Sequence, residues 1–485
     1  MNKKHKMAVI GLDGATLNII EMAGITGSDW LCSECISTIP PYTPPAWNSI
    51  ITGVNPGKHG IIGFRKIDWA NRKSTFYTSI DLQKPRIFEM LSLQGKKSIV
   101  ANLPQTYPFK GIKNIQNIAV VSDWASPVQS IYPEKLNEKY KEYLIEPPTP
   151  SRAGKNITQY LKLVEEFLDA RLHIYYDLLE KESWNLYFVV FSETDWIQHV
   201  VPEVVEGEKR PRVSKIFNKI KKFIQEAQNV SDITMLVSDH GFEIKEKIVY
   251  PNTVLKNAGL LKLADQKALA LKLSRSAFRI ATKIGPMRRF LKKHVGGKSG
   301  LLTVLDNDTK GAILESDTWG IYVFDSQYKE DIVRELEKLE ELSHVYDAKE
   351  LYKVQSLPKY FPEIIIYPRE RVAVSTEVKD TPVKKIYKSE HSMRGIFCVT
   401  GEDVKKYTNF NSPVTVYDIA PTILHIFGLP IPNDVDGRVL MDILKEDSEF
   451  AKRKPKYADI NYYLRSKEDV RVKKVVSTLK TTGKL

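Results

Sequence analysis

The 485-residue chain is predicted to be an α/β protein with a mostly parallel sheet flanked by helices. Three observations predict this. The runs Met7–Leu12 (MAVIGL), Leu186–Phe191 (LYFVVF) and Ile233–Val237 (ITMLV) are short and uniformly apolar, as strands buried on both faces are. Stretches of helical periodicity alternate with them, the longest over Ile157–Lys181. Each of the three runs is followed by an Asp, joined after the second and third by a His, and open α/β sheets place ligands at that strand end.

Taken in order, Met7–Leu12 ends in Asp13-Gly14. Basic residues precede this run as they would in a signal peptide, but Asp13 interrupts it early, and a first buried strand fits better. Thr43, Pro44 and Pro45 open a stretch that is helical over 46–52 and stops at Gly53. Proline suits a first helical turn and a preceding Thr is a natural N-cap, which puts Thr43 at a helix N-terminus, where negative charge is favoured. A helix is expected over 84–93 and strands over 97–102 and Ile118–Val121. After Leu186–Phe191 comes SETDWIQH, with Asp195 and His199 four residues apart and so on one side of a helical turn. A helix over 217–227 leads to Ile233–Val237, then Ser238-Asp239-His240-Gly241. Further on, strands are expected at 320–324 and 363–367 around a charged helix at 330–342. A strand at 395–399 and a helix at 416–427 close the patterned part.

Composition bounds the partners. The net charge of +13 is local: residues 266–298 hold ten Lys/Arg and no Asp/Glu, residues 451–485 carry a net +8, and the rest is net −5. In the first segment an apolar face (Leu269, Leu273, Ala277, Ile280, Ile284) opposes a basic stripe (Lys272, Arg275, Arg279, Lys283). Such a helix caps a domain with its apolar face or rests on an anionic membrane surface. Nucleic-acid binding has only charge in its favour, because a lone Phe278 among the basic residues over 266–285 is not the aromatic interleaving that base stacking needs. No apolar run is long enough to span a bilayer, and a cytoplasmic location is the expectation; the domain cap is the favoured reading of the basic helix, with peripheral anionic membrane contact through 266–298 as its alternative. Cys32 and Cys35 form a C-x-x-C with no second pair or suitably spaced His, and the three cysteines read as incidental thiols.

Alone, Asp13-Gly14 reads as a turn, Asp195 and His199 as a surface pair, and Asp239-His240 as another turn. Together they deliver carboxylates and imidazoles from three strands to one edge. Carboxylates gathered without countercharge repel, and a divalent cation removes that penalty.

The ordered set GLDG, TPPAW with NPGKHG, D-x-x-x-H, S-D-H-G and a late isolated His391 resembles the alkaline phosphatase superfamily, and within it the type I phosphodiesterase/nucleotide pyrophosphatase branch. The resemblance covers about 7–260 and 385–440, including NTVLKNAGLL at 252–261 and GLPIPNDVDGRVL at 428–440. It implies an alkaline-phosphatase-like core holding two divalent metal ions, usually zinc, with manganese or iron accepted by the same donors. Asp195, His199 and His391 would hold one ion. Asp13, Asp239 and His240 would hold the other, with the Thr43 oxygen beside it as nucleophile. His59 belongs to the pattern as a loop residue; His173, His344 and His425 read as structural. Many phosphodiesterase relatives carry an Asn shortly after H-G-I, where this chain has Phe64, followed by Arg65. That departure weakens nucleotide-diester specificity.

The expected function is hydrolysis of a phosphodiester or pyrophosphate bond in a small phosphorylated substrate through a phospho-threonine intermediate. The alternatives are a phosphomonoesterase, phosphonate hydrolase or phosphotransferase on the same scaffold, or a membrane-associated metal-binding protein without turnover. The expected organisation is a catalytic core over 1–264 and 376–450, an inserted basic α+β cap over 265–375, and a basic tail over 451–485.

Overall fold

The computed structural model describes residues 5–150, 153–154, 156–264, 301–302 and 304–464. The basic amphipathic segment expected over 269–284, and most of the basic tail, lie outside the described residues. Two compact units divide the chain, one of residues 1–55, 78–242 and 391–485, the other of 56–77 and 243–390.

The first unit is organised on nine strands: β1 Met7–Leu12, β2 Leu31–Ile36, β3 Ser98–Ala101, β4 Ile118–Val121, β5 Ile131–Tyr132, β6 Leu186–Phe191, β7 Ile233–Val237, β8 Arg394–Gly401 and β9 Val414–Thr415. Their spatial order is β9-β2-β8-β7-β1-β6-β3-β4-β5. β1 sits between β6 and β7 and is parallel to both, and β3 continues the parallel set beside β6. Only β8, against β2 and β7, and β5, against β4, run antiparallel. This is the mostly parallel, helix-flanked sheet that the apolar runs predict.

Alternation along the strands fills two separate cores. Ala8, Ile10 and Leu12 of β1 face one side with Tyr187, Val189 and Phe191 of β6. Met7 and Val9 face the other with Leu186, Phe188 and Val190. Because side chains alternate with period two, only an apolar residue at every position buries both faces. The first core is closed by α2 (Ile157–Lys181) and α4 (Pro211–Val230), the second by α1 (Thr43–Thr52) and α5 (Ile419–Ile426). Between α2 and α4 lies the short α3 (Glu193–Val200).

Several expectations are corrected. Thr43 is the first helical residue of α1, not its cap: Tyr42, extended at φ −125°, takes the cap position without a side-chain bond. The Thr43 hydroxyl is therefore not spent on its own helix. Gly53 closes α1 in the left-handed region at φ 75°, as its place after Thr52 predicts. The 84–93 helix starts only at Ile87, with Glu89 accepting from the Arg86 backbone at 2.8 Å. The helix expected over 217–227 spans Pro211–Val230, because Pro211 supplies the first turn ahead of the apolar stripe.

Cys32 and Cys398 face each other in register on β2 and β8 and form a disulfide, whereas both read as incidental thiols. Their separation of 366 residues hid the pair, which only the antiparallel β2–β8 contact brings together. Cys35, on the other face of β2, is free and buried.

The second unit contains a four-stranded antiparallel sheet, ordered Gly311–Ile313, Gly320–Val323, Ile364–Pro368, Leu342–Asp347, with the helix Lys329–Glu337. That helix ends five residues before the expected 342, since Leu342–Asp347 leaves it to pair with Ile364–Pro368. Arg65–Asp68 and Lys73–Phe76 form a hairpin in which Arg65 Nε donates to Ser74 Oγ at 2.6 Å. His59 is buried, and its Nδ1 accepts from the Ile61 backbone at 3.2 Å, a loop-fixing bond. No described helix is long and apolar enough to cross a membrane.

Candidate metal centre

The three central parallel strands end side by side, and each hands over a ligand group. Asp13 directly follows β1, Asp239 and His240 follow β7, and α3 after β6 carries Asp195 and His199. His391 lies three residues before β8, whose antiparallel course starts at the same edge. Thr43 arrives on the first turn of α1. All seven predicted site residues lie in the first unit, and all but His199 are buried.

Two groups of donors result. Oδ1 of Asp195 is 3.3 Å from Nε2 of His199 and 3.1 Å from Nε2 of His391, and the two imidazole nitrogens are 3.0 Å apart. In the second group, Nε2 of His240 is 3.2 Å from Oδ2 of Asp239, 3.6 Å from Oδ1 of Asp13 and 3.3 Å from Oγ of Thr43. Asp195 also falls within 4.8 Å of Asp13 and His240, which joins the groups.

The orientation of these donors fits a cation. Nδ1 of His240 donates to the Gly241 carbonyl at 3.1 Å, so its Nε2 presents a lone pair to the site. Asp239 Oδ1 accepts from the Gly14 backbone at 3.2 Å, while its Oδ2 accepts no hydrogen bond among the described residues. Asp13 behaves alike: Oδ2 accepts from Trp47, and Oδ1 accepts no hydrogen bond among the described residues. Buried polar atoms normally find partners, so two orphaned carboxylate oxygens beside an imidazole lone pair mark the place of a positive charge.

Electrostatics agree. Burial, then the neighbouring charges of Asp239 and Asp195, pushes the Asp13 carboxyl well above the usual range. Burial and Asp195 do the same to Asp239. Burial, then His391, pushes the His240 imidazole well below its ordinary value. Burial would raise Asp195 too, but His199 and His391 hold it far below. Without a cation the second group is thus a repulsive acidic cluster beside a neutral imidazole.

Three contributors went unnoticed in the sequence. Trp47 bonds Asp13. Phe242 packs its ring 4.9 Å from His199 and 5.0 Å from His391. Gly14 must be glycine: it sits at φ 68°, and a Cβ there would meet the Phe242 ring at 2.5 Å. The signal for Trp47 was its i+4 spacing from Thr43. His425, by contrast, is structural as expected, bonding the Phe450 carbonyl at 2.8 Å.

A family model described as type I phosphodiesterase / nucleotide pyrophosphatase matches residues 8–395. The chain belongs to this family. Solved structures share its fold. Phosphonoacetate hydrolase from Sinorhizobium meliloti 1021, solved with phosphonoformate, has a TM-score of 0.55 at 14% identity, over 86% of this chain and 94% of that one. Murine ectonucleotide pyrophosphatase / phosphodiesterase 5 has a TM-score of 0.53 at 13% identity, over 91% and 100%. Alkaline phosphatase PafA has a TM-score of 0.52 at 13% identity, over 91% and 99%. Among curated proteins, a putative extracellular sulfatase Sulf-1 homolog of Caenorhabditis elegans is 40% identical over 55 residues, spanning 11% of this chain and 8% of that protein.

Proposed function

We propose that this protein cleaves a phosphodiester or pyrophosphate bond in a small phosphorylated substrate, with two bound divalent ions and Thr43 as nucleophile. The observation that carries the reading is the approach of Thr43 Oγ to His240 Nε2 at 3.3 Å, beside two carboxylates whose inner oxygens accept no hydrogen bond among the described residues. Asp195, His199 and His391 would hold one ion; Asp13, Asp239 and His240 would hold the other with Thr43 beside it. Zinc is the expected metal, and manganese or iron suits the same donors.

When bound, the ions supply Lewis acidity, which lowers the hydroxyl pKa and offsets charge gathering on the phosphoryl oxygens. Thr43 then contributes its oxygen: an O–P bond forms to Thr43 as the bond to the leaving oxygen breaks, and the hydroxyl proton passes to solvent. Water attacks the phospho-threonine, and the Thr43 hydroxyl and a phosphate product are released. The Gly241 carbonyl fixes the His240 ring, and the Gly14 N–H fixes Asp239, so neither donor turns during the cycle.

A second reading rests on Phe64, which stands where many diesterase relatives carry Asn. It favours a phosphomonoesterase or phosphonate hydrolase on the same scaffold. The relative with phosphonoformate and an inactive ectonucleotide pyrophosphatase with AMP bind quite different phosphorylated ligands. Turnover of bis-p-nitrophenyl phosphate against p-nitrophenyl phosphate separates the readings. Preference for the diester supports the first; preference for the monoester, or for phosphonoacetate, supports the second.

A further inference from the structure

The indole of Trp47 is fully buried, and its Nε1–H donates to Oδ2 of Asp13 at 3.3 Å. The other oxygen of that carboxylate, Oδ1, has no hydrogen-bond partner among the described residues and points to His240 Nε2, 3.6 Å away. Trp47 therefore occupies one face of the carboxylate and leaves the other to the site.

The ring itself cannot turn away. Its far edge is wedged over β1, where a Cβ at Gly11 would lie 2.4 Å from Trp47 Cη2. Phe188 of β6 meets it edge-on, with ring centroids 6.2 Å apart. Trp47 is also four residues from Thr43 on α1, so the two occupy one side of the helix. One rigid turn of helix thus carries both the hydroxyl and the donor that orients Asp13.

We propose that Trp47 is a positioning residue. Its indole N–H orients Asp13 for the metal ion beside Thr43, and it locks the spacing between that ligand and the nucleophile. The proposal rests on the reading that Asp13 is a metal ligand, and the test separates the two.

Apo protein is titrated with zinc or manganese alone by calorimetry, for wild type, Trp47→Phe and Phe188→Leu. Trp47→Phe keeps an aromatic ring but removes the donor; Phe188→Leu disturbs the same packing and touches no ligand. The expected result is a dissociation constant at one of the two sites raised about tenfold or more in Trp47→Phe, the usual effect of losing a ligand's outer partner. Phe188→Leu lowers the melting temperature but leaves both constants unchanged. Equal affinities in wild type and Trp47→Phe, or equal losses in both variants, overturn the proposal while leaving the metal reading intact. Wild type that binds no metal overturns both. Should Trp47→Phe not fold, wild type labelled with 15N at its seven indoles is titrated instead. Movement with metal of the indole N–H signal whose ring contacts Phe188 supports the contact, and no movement of that signal overturns it.

Discussion

Thr43 Oγ stands 3.3 Å from Nε2 of His240, across 197 positions of sequence. The hydroxyl is free for this contact because Tyr42, not Thr43, occupies the cap position of α1. Replacing Thr43 by Ala is expected to lower kcat on bis-p-nitrophenyl phosphate at least ~10³-fold, the scale set by losing a nucleophile. Metal content and melting temperature change little, because the donors that would bind metal remain. Thr43→Ser retains measurable turnover. Steady-state kinetics beside metal analysis checks this.

Asp13 and Asp239 shape the pH dependence of the metal-free protein. Their folded carboxyls are held well above the usual range by burial and by acidic neighbours. A raised folded pKa favours the protonated form, so its stabilising effect is complete below the ordinary carboxylate value and lost as pH rises through the folded one. Chelator-treated protein is expected to melt lower as pH rises from about 4 towards neutrality. Saturating metal reverses the trend. Asp13→Asn raises the melting temperature of the metal-free protein at neutral pH and shrinks the rise that metal produces. Thermal scans across pH with and without metal read both effects.

Glu315 poses the same question in the second unit. Burial, then Asp317, pushes its carboxyl up to about 8, against the partial relief of Arg65. Its Oε2 has no hydrogen-bond partner among the described residues. Its protonated form is thus favoured in the folded state, and stability drops between about pH 4.5 and 8 as the unfolded chain ionises first. Glu315→Gln, a neutral isostere, is expected to stabilise the protein at pH 8 and to be nearly silent at pH 4.5. Denaturant melts at the two values decide.

Glu165 shows the opposite sign. Hydrogen bonds from Lys215 and Lys219 hold its carboxyl down at about 2. A lowered folded pKa gives stability present above the unfolded value and lost as pH falls through the folded one. Glu165→Gln should therefore cost up to about 1 kcal/mol at neutral pH, the scale of a partly exposed ion pair, and nothing near pH 2. Urea unfolding at both values measures it.

Cys32 and Cys398 give a chemical check on the fold. Alkylation under denaturing, non-reducing conditions should find one free thiol, Cys35, and three after reduction. Reduction should cost about 2–4 kcal/mol of stability, as loss of a native bridge does. A cytoplasmic location would keep most such bridges open, so the count in protein taken rapidly from cells also tests the proposed location.

Much of the core was legible because it obeys simple periodicities. β1, β6 and β7 appear in the sequence with their observed ends, since strands buried on both faces leave uninterrupted apolar runs. Their Asp and His followers were legible for the same reason: a residue after a parallel strand lies at the sheet's ligand edge. His391 was different. It stands in a polar stretch, and only the resemblance singled it out, because its position depends on β8 running antiparallel to β7. Long-range pairing likewise hid the Cys32–Cys398 bridge. At 330–342 a helical charge pattern extended past Glu337, and strand pairing overrode it. Trp47 was passed over because a buried aromatic on a helix looks the same whether or not its N–H meets a carboxylate.

The most direct measurement is anomalous diffraction from crystals of the protein loaded with zinc or manganese. The expected result is two metal peaks at the strand edge, one bounded by Asp195, His199 and His391, the other by Asp13, Asp239 and His240 with the Thr43 oxygen against it. No peak at that edge, or metal bound there with Thr43 turned away from it, would contradict the proposed centre.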